Sequence, residues 1–390
     1  MGLHGVVKST YVALTDAASN NRLTDYKSFA EQEADTWKHW VSMPPRRRLS
    51  LWRRGFTSPA ETMYDFQTHG QEAYLSERQR IRLYREANGG HRYLLDDKLS
   101  QYWMMADYPE HRPEAFGFVD RGYVHGIAGT TFEGDPRPVA EWLPGAVREH
   151  SKLVLKQLRG LGGSEVVVCE YDDGFVVDAE SVTEREMCET VADLSGYVVT
   201  EYVDQHAYAD DLYPHAANTI RMLTLWDDET GELHVPIAIH RIGTERSRPI
   251  DNWSAGGLSV EIDLETGELG RATRKPHGDS LRWYEDHPDT GAPIAGTRVP
   301  HWDAVRETVE RIAKENTNIP LLGWDVLLDE SGTPVVLEVN TGTDVDLLQV
   351  HQPLLADPAF ARVAARYLPD VEAPPAPDRP KRRPSPPSRA

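Results

Sequence analysis

The chain of 390 residues carries a formal net charge of −20, with 39% hydrophobic and 27% charged residues. Its length allows two or three domains with a sizeable core, and its composition is ordinary for a soluble globular protein. The net charge argues against a general nucleic-acid binder and against a protein that binds anionic membranes. No apolar run approaches the roughly 18–20 residues of a membrane span. The two cysteines, Cys169 and Cys188, form neither a metal-binding spacing nor a disulfide framework, so we expect a cytoplasmic protein.

The first 60 residues are polar, and their pattern predicts helices in short pieces. Five arginines cluster there around Leu49, Leu51 and Trp52, namely Arg46, Arg47, Arg48, Arg53 and Arg54. The cluster could bind an acidic partner or a lipid surface, but pairing with acidic residues of the same chain is favoured. Apolar side chains then recur at helical intervals over residues 61–90, so we expect helices that end at Gly89 and Gly90.

The stretch 94–98 precedes an aromatic-rich helix around Tyr102 and Trp103. Asp97 has the side chain of a helix N-cap, which would leave Lys98 in solvent. Residues 116–126 predict a strand and a turn. Residues 138–150 predict a helix or loop that leads into the next domain.

A glycine-rich loop follows the short strand that residues 152–156 predict. It contains Gly160, Gly162 and Gly163, and an apolar strand at 166–169 comes after it. Glycines let backbone N–H groups approach an anion. The loop lacks the Gly-Lys-Ser/Thr ending of a Walker motif, and a glycine-containing hairpin explains it equally well. After a helix at about 183–194, residues 197–203 predict a core strand with a polar end.

One charged residue, Arg221, stands among apolar neighbours in the strand that residues 218–225 predict. A buried guanidinium group needs a charged partner. A phosphate group would accept bidentate hydrogen bonds from it, and an acidic neighbour is the alternative.

Two further helices are expected towards the end of the chain. Residues 301–316 place Val305, Val309 and Ile312 on one face of a helix, and residues 352–369 predict the last helix. From about Glu372 the chain is rich in proline, so a disordered tail is expected.

The most informative stretch is 323–340, which reads as a β-hairpin with the polar turn Asp329-Glu330-Ser331-Gly332. If this turn closes symmetrically, Asp325 lies opposite Val336. Glu338 then lies diagonally across on the same face, roughly 7–8 Å away, and Asn340 follows on that face. These three side chains would bring together oxygen ligands that suit Mg²⁺. The alternative is a surface hairpin with a solvated polar face.

The hairpin sequence Gly-Trp-Asp-Val … Val-Leu-Glu-Val-Asn resembles the metal-binding signature of the ATP-grasp superfamily, which includes carboxylate–amine ligases. The resemblance covers roughly residues 90–368 and is greatest to the sugar-transfer-associated ATP-grasp group, which is similar to α-L-glutamate ligases. It implies an α+β fold with two α+β subdomains that grip ATP between antiparallel sheets, after a helical N-terminal region. The expected divisions are a helical region at 1–90, an entry subdomain at 91–150, a nucleotide-binding subdomain at 151–205, a metal and catalytic subdomain at 206–370, and a tail at 371–390.

The resemblance also implies roles for individual residues. Asp325, Glu338 and Asn340 would hold Mg²⁺ or Mn²⁺, and Arg221 would contact the phosphates. An arginine found two residues before the first metal Asp in D-alanine–D-alanine ligase is replaced here by Gly323. The other expected nucleotide contacts are Lys98, Lys156, Gly162 and Gly163 at the phosphates, Glu201, Tyr202 and Val203 at adenine, and Asp204 at the ribose. Arg241, Asn252 and Ser254 would touch the acceptor, although a plain loop explains each of these three equally well.

The implied activity is ATP-dependent ligation of a carboxylate to an amine through an acyl phosphate, with Arg221, Lys156 and Arg241 as catalytic residues. The resemblance also suggests a link to polysaccharide or cell-surface biosynthesis. The expected partners are small-molecule or sugar-linked carboxylates and amines, with no nucleic acid and no integral membrane segment. Two alternatives remain: a phosphotransferase with a hydroxyl acceptor on the same fold, and a nucleotide-binding regulator of a glycosyltransferase without catalysis. The sequence does not indicate the oligomeric state.

Overall fold

Two antiparallel sheets, one of eight strands and one of seven, organise the computed structural model, which describes residues 29–34, 43–159, 166–278 and 280–374. The expected glycines Gly162 and Gly163 and most of the proline-rich tail lie outside these residues. No helix within the described ranges is long and apolar enough to cross a membrane.

The helices cover the sheets and make up most of the described residues that precede the first strand. Residues 29–34 are helical. The α-helices that follow are α1 Pro45–Arg53, α2 Ala60–Met63, α3 Phe66–His69, α4 Glu77–Asn88, α5 Arg92–Leu95, α6 Lys98–Met104, α7 Val139–His150, α8 Glu184–Val191, α9 Ala207–Leu212, α10 Trp302–Glu315, α11 Asp346–Gln349 and α12 Pro358–Tyr367. Within the basic cluster, Arg47 pairs with Glu61 and Arg48 with Glu33, as favoured from the sequence.

The first sheet has the strand order β3-β2-β1-β8-β4-β5-β6-β7. Its strands are β1 Ala115–Asp120, β2 Tyr123–His125, β3 Arg137–Pro138, β4 Lys152–Gln157, β5 Val166–Tyr171, β6 Phe175–Val177, β7 Glu180–Val182 and β8 Tyr197–Glu201. Leu143 of α7 and Met187 of α8 pack with Leu153 and Leu155 of β4 in one buried cluster. The boundary expected at residue 150 crosses this sheet, because β1 is hydrogen-bonded to β8.

The second sheet has the order β13-β12-β11-β10-β9-β14-β15. Its strands are β9 Ile220–Asp227, β10 Glu232–Ile242, β11 Leu258–Ile262, β12 Leu269–Arg274, β13 Trp283–Tyr284, β14 Leu321–Leu328 and β15 Pro334–Asn340. Every residue of β14 is buried, as expected of a central strand covered on both faces.

Both faces of this second sheet are covered by helices. Val305, Val309 and Ile312 of α10 are buried with Met222 and Trp324, as their spacing predicts. The opposite cluster joins side chains from the N-terminal helices, the sheet and α12, including Leu51, Leu83, Leu223, Leu321 and Phe360. The N-terminal helical region therefore shares a core with the second sheet.

The hairpin of β14 and β15 forms where it was predicted, but its register is different. Leu328 lies opposite Pro334 rather than Thr333, since the loop spans Asp329 to Thr333. A bulge between Asp325 and Val326 then shifts the pairing, and Asp325 lies directly opposite Glu338. The expected pairing of Asp325 with Val336 is wrong, because Val336 pairs with Val326.

Candidate active site

A row of charged side chains crosses three neighbouring strands of the second sheet. Asp325 on β14 lies opposite Arg221 on β9 and opposite Glu338 on β15. Directly opposed residues of antiparallel strands place their side chains on the same face, so the three groups meet on one surface. Arg221 and Asp325 are only 7% and 4% exposed, which makes their pairing decisive for stability.

Asp325 is held by two guanidinium groups. Arg221 donates from Nε to Oδ1 and from Nη2 to Oδ2, the second at 2.9 Å, which makes a bidentate ion pair. Arg241 on β10 donates from Nη1 to Oδ2 at 3.1 Å. Of the two partners weighed for Arg221, the structure contains the acidic neighbour, and that neighbour is the expected metal ligand.

These ion pairs fix the charge states of the cluster. Burial alone would raise the pKa of Asp325, but the charges of Arg221 and Arg241 outweigh it and lower that pKa below its usual range. Burial likewise opposes the charge of Arg221, whereas Asp325 raises the pKa of the guanidinium group overall. The carboxylate and the guanidinium are therefore both charged at neutral pH.

Arg241 links Asp325 to the loop that follows β10. Its Nη2 lies 2.6 Å from Oδ1 of Asp251, and Asp251 also accepts from the backbone N–H and the hydroxyl of Thr219. Burial raises the pKa of Asp251 despite the opposing charge of Arg241. Asn252, next in the chain, accepts from the backbone N–H groups of Ser254 and Ala255, so its side chain shapes the loop.

Two lysines, one from helix α6 and one from the first sheet, interact with Glu338. Lys98 of α6 donates from Nζ to Oε1 of Glu338 at 3.0 Å. Asp97 accepts from the N–H groups of Leu99 and Ser100, so it caps α6 as its side chain predicts, yet Lys98 does not simply face solvent. Lys156 of β4 is half-buried, and burial together with the charge of Lys98 lowers its pKa to about 8, although Glu338 opposes this.

The residues expected at the adenine and ribose lie where the two sheets meet. Glu201 ends β8 and accepts from the N–H of Glu114 at 2.9 Å, and the Tyr202 ring lies 3.7 Å from Nζ of Lys152. Val203 and Asp204 follow, with Asp204 exposed. Gln205 then bridges Asp329 of the hairpin loop. This segment lies between the lysine-bearing sheet and the Asp325 hairpin.

Comparison with known proteins supplies the family. A model of the family described as sugar-transfer associated ATP-grasp matches residues 78–358, well over half of the chain. The chain belongs to this ATP-grasp family. The match confirms the resemblance seen in the hairpin and the mixed fold of helices and antiparallel sheets expected from it. No curated protein matches the chain.

Solved structures with a similar arrangement are ligases and synthetases, at low identity. The L-amino acid ligase from Bacillus licheniformis is 13% identical with a TM-score of 0.31, covering 64% of this chain and 41% of that one. The N5-carboxyaminoimidazole ribonucleotide synthetase from Thermotoga maritima is 12% identical with a TM-score of 0.32, covering 64% and 42%. D-alanyl-alanine synthetase A from Vibrio cholerae is 12% identical with a TM-score of 0.39, covering 71% and 66%. The aligned part of this ATP-grasp chain spans less than half the length of the first two, and these weak likenesses carry no argument about its substrates.

The hairpin of this ATP-grasp protein carries the oxygen donors that a hard cation such as Mg²⁺ prefers. Asp325 and Glu338 supply carboxylate oxygens, and the side-chain amide of Asn340 points to the same place, with Nδ2 3.4 Å from Oδ2 of Asp325. Among the described residues, no three His, Cys, Asp or Glu side chains are arranged to hold a metal ion. A cation at this place would therefore share Asp325 with Arg221 and Arg241 and use the amide oxygen of Asn340.

Sequence reasoning missed the residues after β15 that lie beside the Arg221–Asp325 pair. The hydroxyl of Thr343 accepts from Nη1 of Arg221, and a Cβ added to Gly323 would lie 2.8 Å from the side chain of Thr343. Burial opposes the ionisation of Asp344, but Lys275, Arg80 and Arg221 lower its pKa overall. The available signal was the largely polar run Thr343-Asp344-Val345-Asp346, which begins shortly after β15 ends.

Proposed function

We propose that this protein is an ATP-dependent carboxylate–amine ligase that forms an acyl phosphate. The observation that carries the proposal is the meeting of charges from both sheets: Lys98 and Lys156 face Glu338, and Glu338 lies opposite Asp325 with its two arginines. Four cations around two carboxylates, in a member of the ATP-grasp family, suit the phosphates of a nucleotide with its metal ion.

The nucleotide would lie between the two sheets. Glu201 and the backbone at Tyr202 and Val203 would contact adenine, and Asp204 the ribose. Support comes from their position between β8 and the hairpin loop. Gly162 and Gly163 would approach the phosphates through their backbone N–H groups.

The carboxylates of the hairpin would hold the metal ion. Asp325, Glu338 and Asn340 would bind Mg²⁺ or Mn²⁺, which supplies neutralisation of phosphate charge when bound. With a cation on Glu338, the ammonium group of Lys98, which contacts that carboxylate here, would be available to a phosphate oxygen. The chain's own contribution is then to orient the reactants and to place fixed positive charge around them.

The reaction consists of two displacements. A substrate carboxylate oxygen attacks the γ-phosphorus of ATP, the bond to the β,γ-bridging oxygen breaks, and ADP leaves. The amine of the second substrate then attacks the acyl carbon, phosphate leaves, and the amine loses a proton to give the amide. Arg221, Arg241 and Lys156 stabilise the charge that spreads over the transferring phosphoryl group.

We further infer that the substrates are small or sugar-linked carboxylates and amines of the cytoplasm. The sugar-transfer association of the family supports the sugar link. Cys169 and Cys188 are both free thiols, which supports a reducing compartment.

Incubation with Mg-ATP and a panel of carboxylates and amines tests the proposal, with ADP release and mass detection of an amide as readouts. We expect ADP and amide in equal amounts, both lost in Asp325→Asn. ADP with a phosphorylated alcohol and no amide would identify a phosphotransferase instead. Binding of neither ATP nor ADP would contradict the proposal altogether.

A further inference from the structure

A basic cavity opens at the edge of the second sheet that β12 and β13 form. Its volume is about 350 Å³, within the range of small-molecule sites. It lies between the loop after β10, the end of β12 and the start of β13. The lining includes Arg246, Arg274, Lys275, Ser280, Arg282 and Tyr284.

The charge of this cavity is opposite to that of the protein. Four of its lining side chains are arginine or lysine, and none of the described lining residues is acidic, whereas the whole chain has a net charge of −20. Cations crowded into one concave surface repel one another and attract anions strongly. Two hydroxyl groups, from Ser280 and Tyr284, add hydrogen-bond donors.

Two of the arginines have no acidic partner of their own. Within the described residues, neither Arg246 nor Arg274 forms an ion pair with a carboxylate, and Nε of Arg274 is buried without a hydrogen-bond partner. A buried donor without a partner costs free energy, which a bound anion would recover. Guanidinium groups suit carboxylate and phosphate because both offer paired oxygens to the planar fork.

The cavity is connected to the proposed catalytic cluster through Lys275. Nζ of Lys275 lies 3.9 Å from Oδ2 of Asp346 and 3.4 Å from the hydroxyl of Ser254. Asp346 lies in the same short segment as Thr343, whose hydroxyl accepts from Arg221, so this segment contacts both Lys275 of the cavity and the Asp325 cluster. A molecule seated in the cavity could therefore present one end towards Arg221.

We propose that this cavity binds the acceptor substrate through at least two anionic groups, carboxylates or phosphates, away from the group that reacts. The proposal rests on the ligase function proposed above and specifies its substrate class as a small polyanion. Arg246 and Arg274 bind the distal anionic groups, and Lys275 bridges the cavity to the reacting end.

Direct binding measurements test this class. Calorimetry would use tricarballylate for carboxylates, glycerol 3-phosphate for phosphate, and propane-1,2,3-tricarboxamide as the neutral analogue, each with and without saturating Mg-ADP. We expect at least one anion to bind and the neutral analogue not to bind. Arg246→Gln and Arg274→Gln should each weaken the anion by about tenfold, on the scale of one charge-assisted contact.

Arg298→Gln is the matched control, because Arg298 is an exposed arginine paired with Glu268 outside the cavity. Its anion affinity should equal that of the wild type. Equal weakening in all three variants, or no binding of either anion, would overturn the proposal. The tighter of the two anions identifies carboxylate or phosphate as the distal group.

ADP affinity, measured on the same variants, separates this inference from the ligase proposal. If ADP binds and no anion does, the cavity proposal fails and the nucleotide site stands. If Arg274→Gln weakens ADP as strongly as the anion, the cavity belongs to the nucleotide site and the proposal also fails. If ADP does not bind but the anion binds through Arg246 and Arg274, the cavity proposal is supported as an anion site and the ligase function fails.

Discussion

Asp325 and Lys156 differ in how their charges are balanced, because the carboxylate is paired within the protein and the ammonium group of Lys156 is not paired among the described residues. Asp325 is held by Arg221 and Arg241 on its own sheet, and although burial opposes its charge, the two guanidinium groups lower the pKa of its carboxyl. The ammonium group of Lys156, on the other sheet, has no ion-pair or hydrogen-bond partner among the described residues, and burial lowers its pKa to about 8. The charges of the paired cluster are balanced within the protein, whereas the ammonium group of Lys156 would gain a partner from an anion bound between the sheets.

The largest effect is expected where the paired cluster is broken. Asp325→Asn removes the carboxylate charge to which both arginines donate hydrogen bonds, so we expect ATP turnover to be lost and the free energy of unfolding to fall by about 3 kcal/mol. Turnover and urea denaturation of the purified variant would measure this.

Glu338→Gln is the matched comparison for that variant. Glu338 is partly exposed and forms a partly exposed ion pair with Lys98, so turnover should also be lost while stability changes by less than about 1 kcal/mol. Normal turnover in either variant would remove the hairpin from the site. Equal losses of stability in the two variants would show that the ion pairs of Asp325 contribute no more to folding than the ion pair of Glu338.

The next effect concerns Arg221, which holds Asp325 by a bidentate contact. Arg221→Lys keeps the charge and loses the fork, so turnover should fall by roughly one to three orders of magnitude, on the scale of one lost transition-state donor. Nucleotide affinity should fall less, because a contact that strengthens in the transition state affects rate more than binding. A loss of thermal stability with an unchanged rate per folded molecule would confine Arg221 to structure.

The unpaired ammonium group of Lys156 predicts that ATP affinity depends on pH. Lys156 is charged below its pKa of about 8 and neutral above it, so ATP affinity should fall roughly three- to tenfold between pH 7 and pH 9. Lys156→Met should bind ATP more weakly at pH 7 and lose most of that dependence. Lys314→Met, an exposed lysine paired with Glu310, should keep the wild-type profile. A wild-type affinity that does not change over this range would contradict the role of Lys156.

The last prediction concerns stability at acid pH rather than turnover, and it involves a neutral group beside the paired cluster. His240 precedes Arg241 on β10, its Nε2 lies 2.9 Å from the Tyr208 hydroxyl, and burial lowers its pKa to about 4. The unfolded chain takes up this proton near pH 6.5 and the folded chain only near pH 4. Stability is therefore full above pH 6.5 and falls by up to about 3 kcal/mol as the pH drops to 4.

Urea denaturation across this range would measure that loss in the wild type and in His240→Gln. The variant should be less stable at neutral pH and show a shallower decline. His91→Gln, at an exposed position, should retain the wild-type slope. Identical slopes in all three proteins would assign the acid sensitivity to other groups.

Residue spacing predicted correctly that Asp325, Glu338 and Asn340 share one face of the hairpin. The register that brings them together differs from the expected one, however, and could not be derived from the sequence. The loop is one residue longer than expected, which alone would put Leu337 opposite Asp325 and turn Glu338 to the other face. The bulge between Asp325 and Val326 restores the shared face. Asp329 accepts from the N–H groups of Ser331 and Thr333, which holds the longer loop, and neither feature follows from alternation alone.

The partners of these residues were harder to predict, because they come from distant parts of the chain. Lys98 reaches Glu338 across 240 residues, and Arg221 reaches Thr343 across 122. The sequence showed that Arg221 needs a counter-charge, but both a phosphate and a carboxylate satisfied that need. Only the register of β9 beside β14 selects Asp325.

The absence of a side chain at Gly323 makes room for a contact between two other residues, Thr343 and Arg221. A side chain there would collide with Thr343, and Thr343 is the hydroxyl that accepts from Arg221. An arginine at position 323 would therefore require Thr343 to move or to be replaced by a smaller residue. Among relatives, the identities at 221, 323 and 343 should covary, and a bulky residue at 323 should occur only on backgrounds in which one of the other two has already changed.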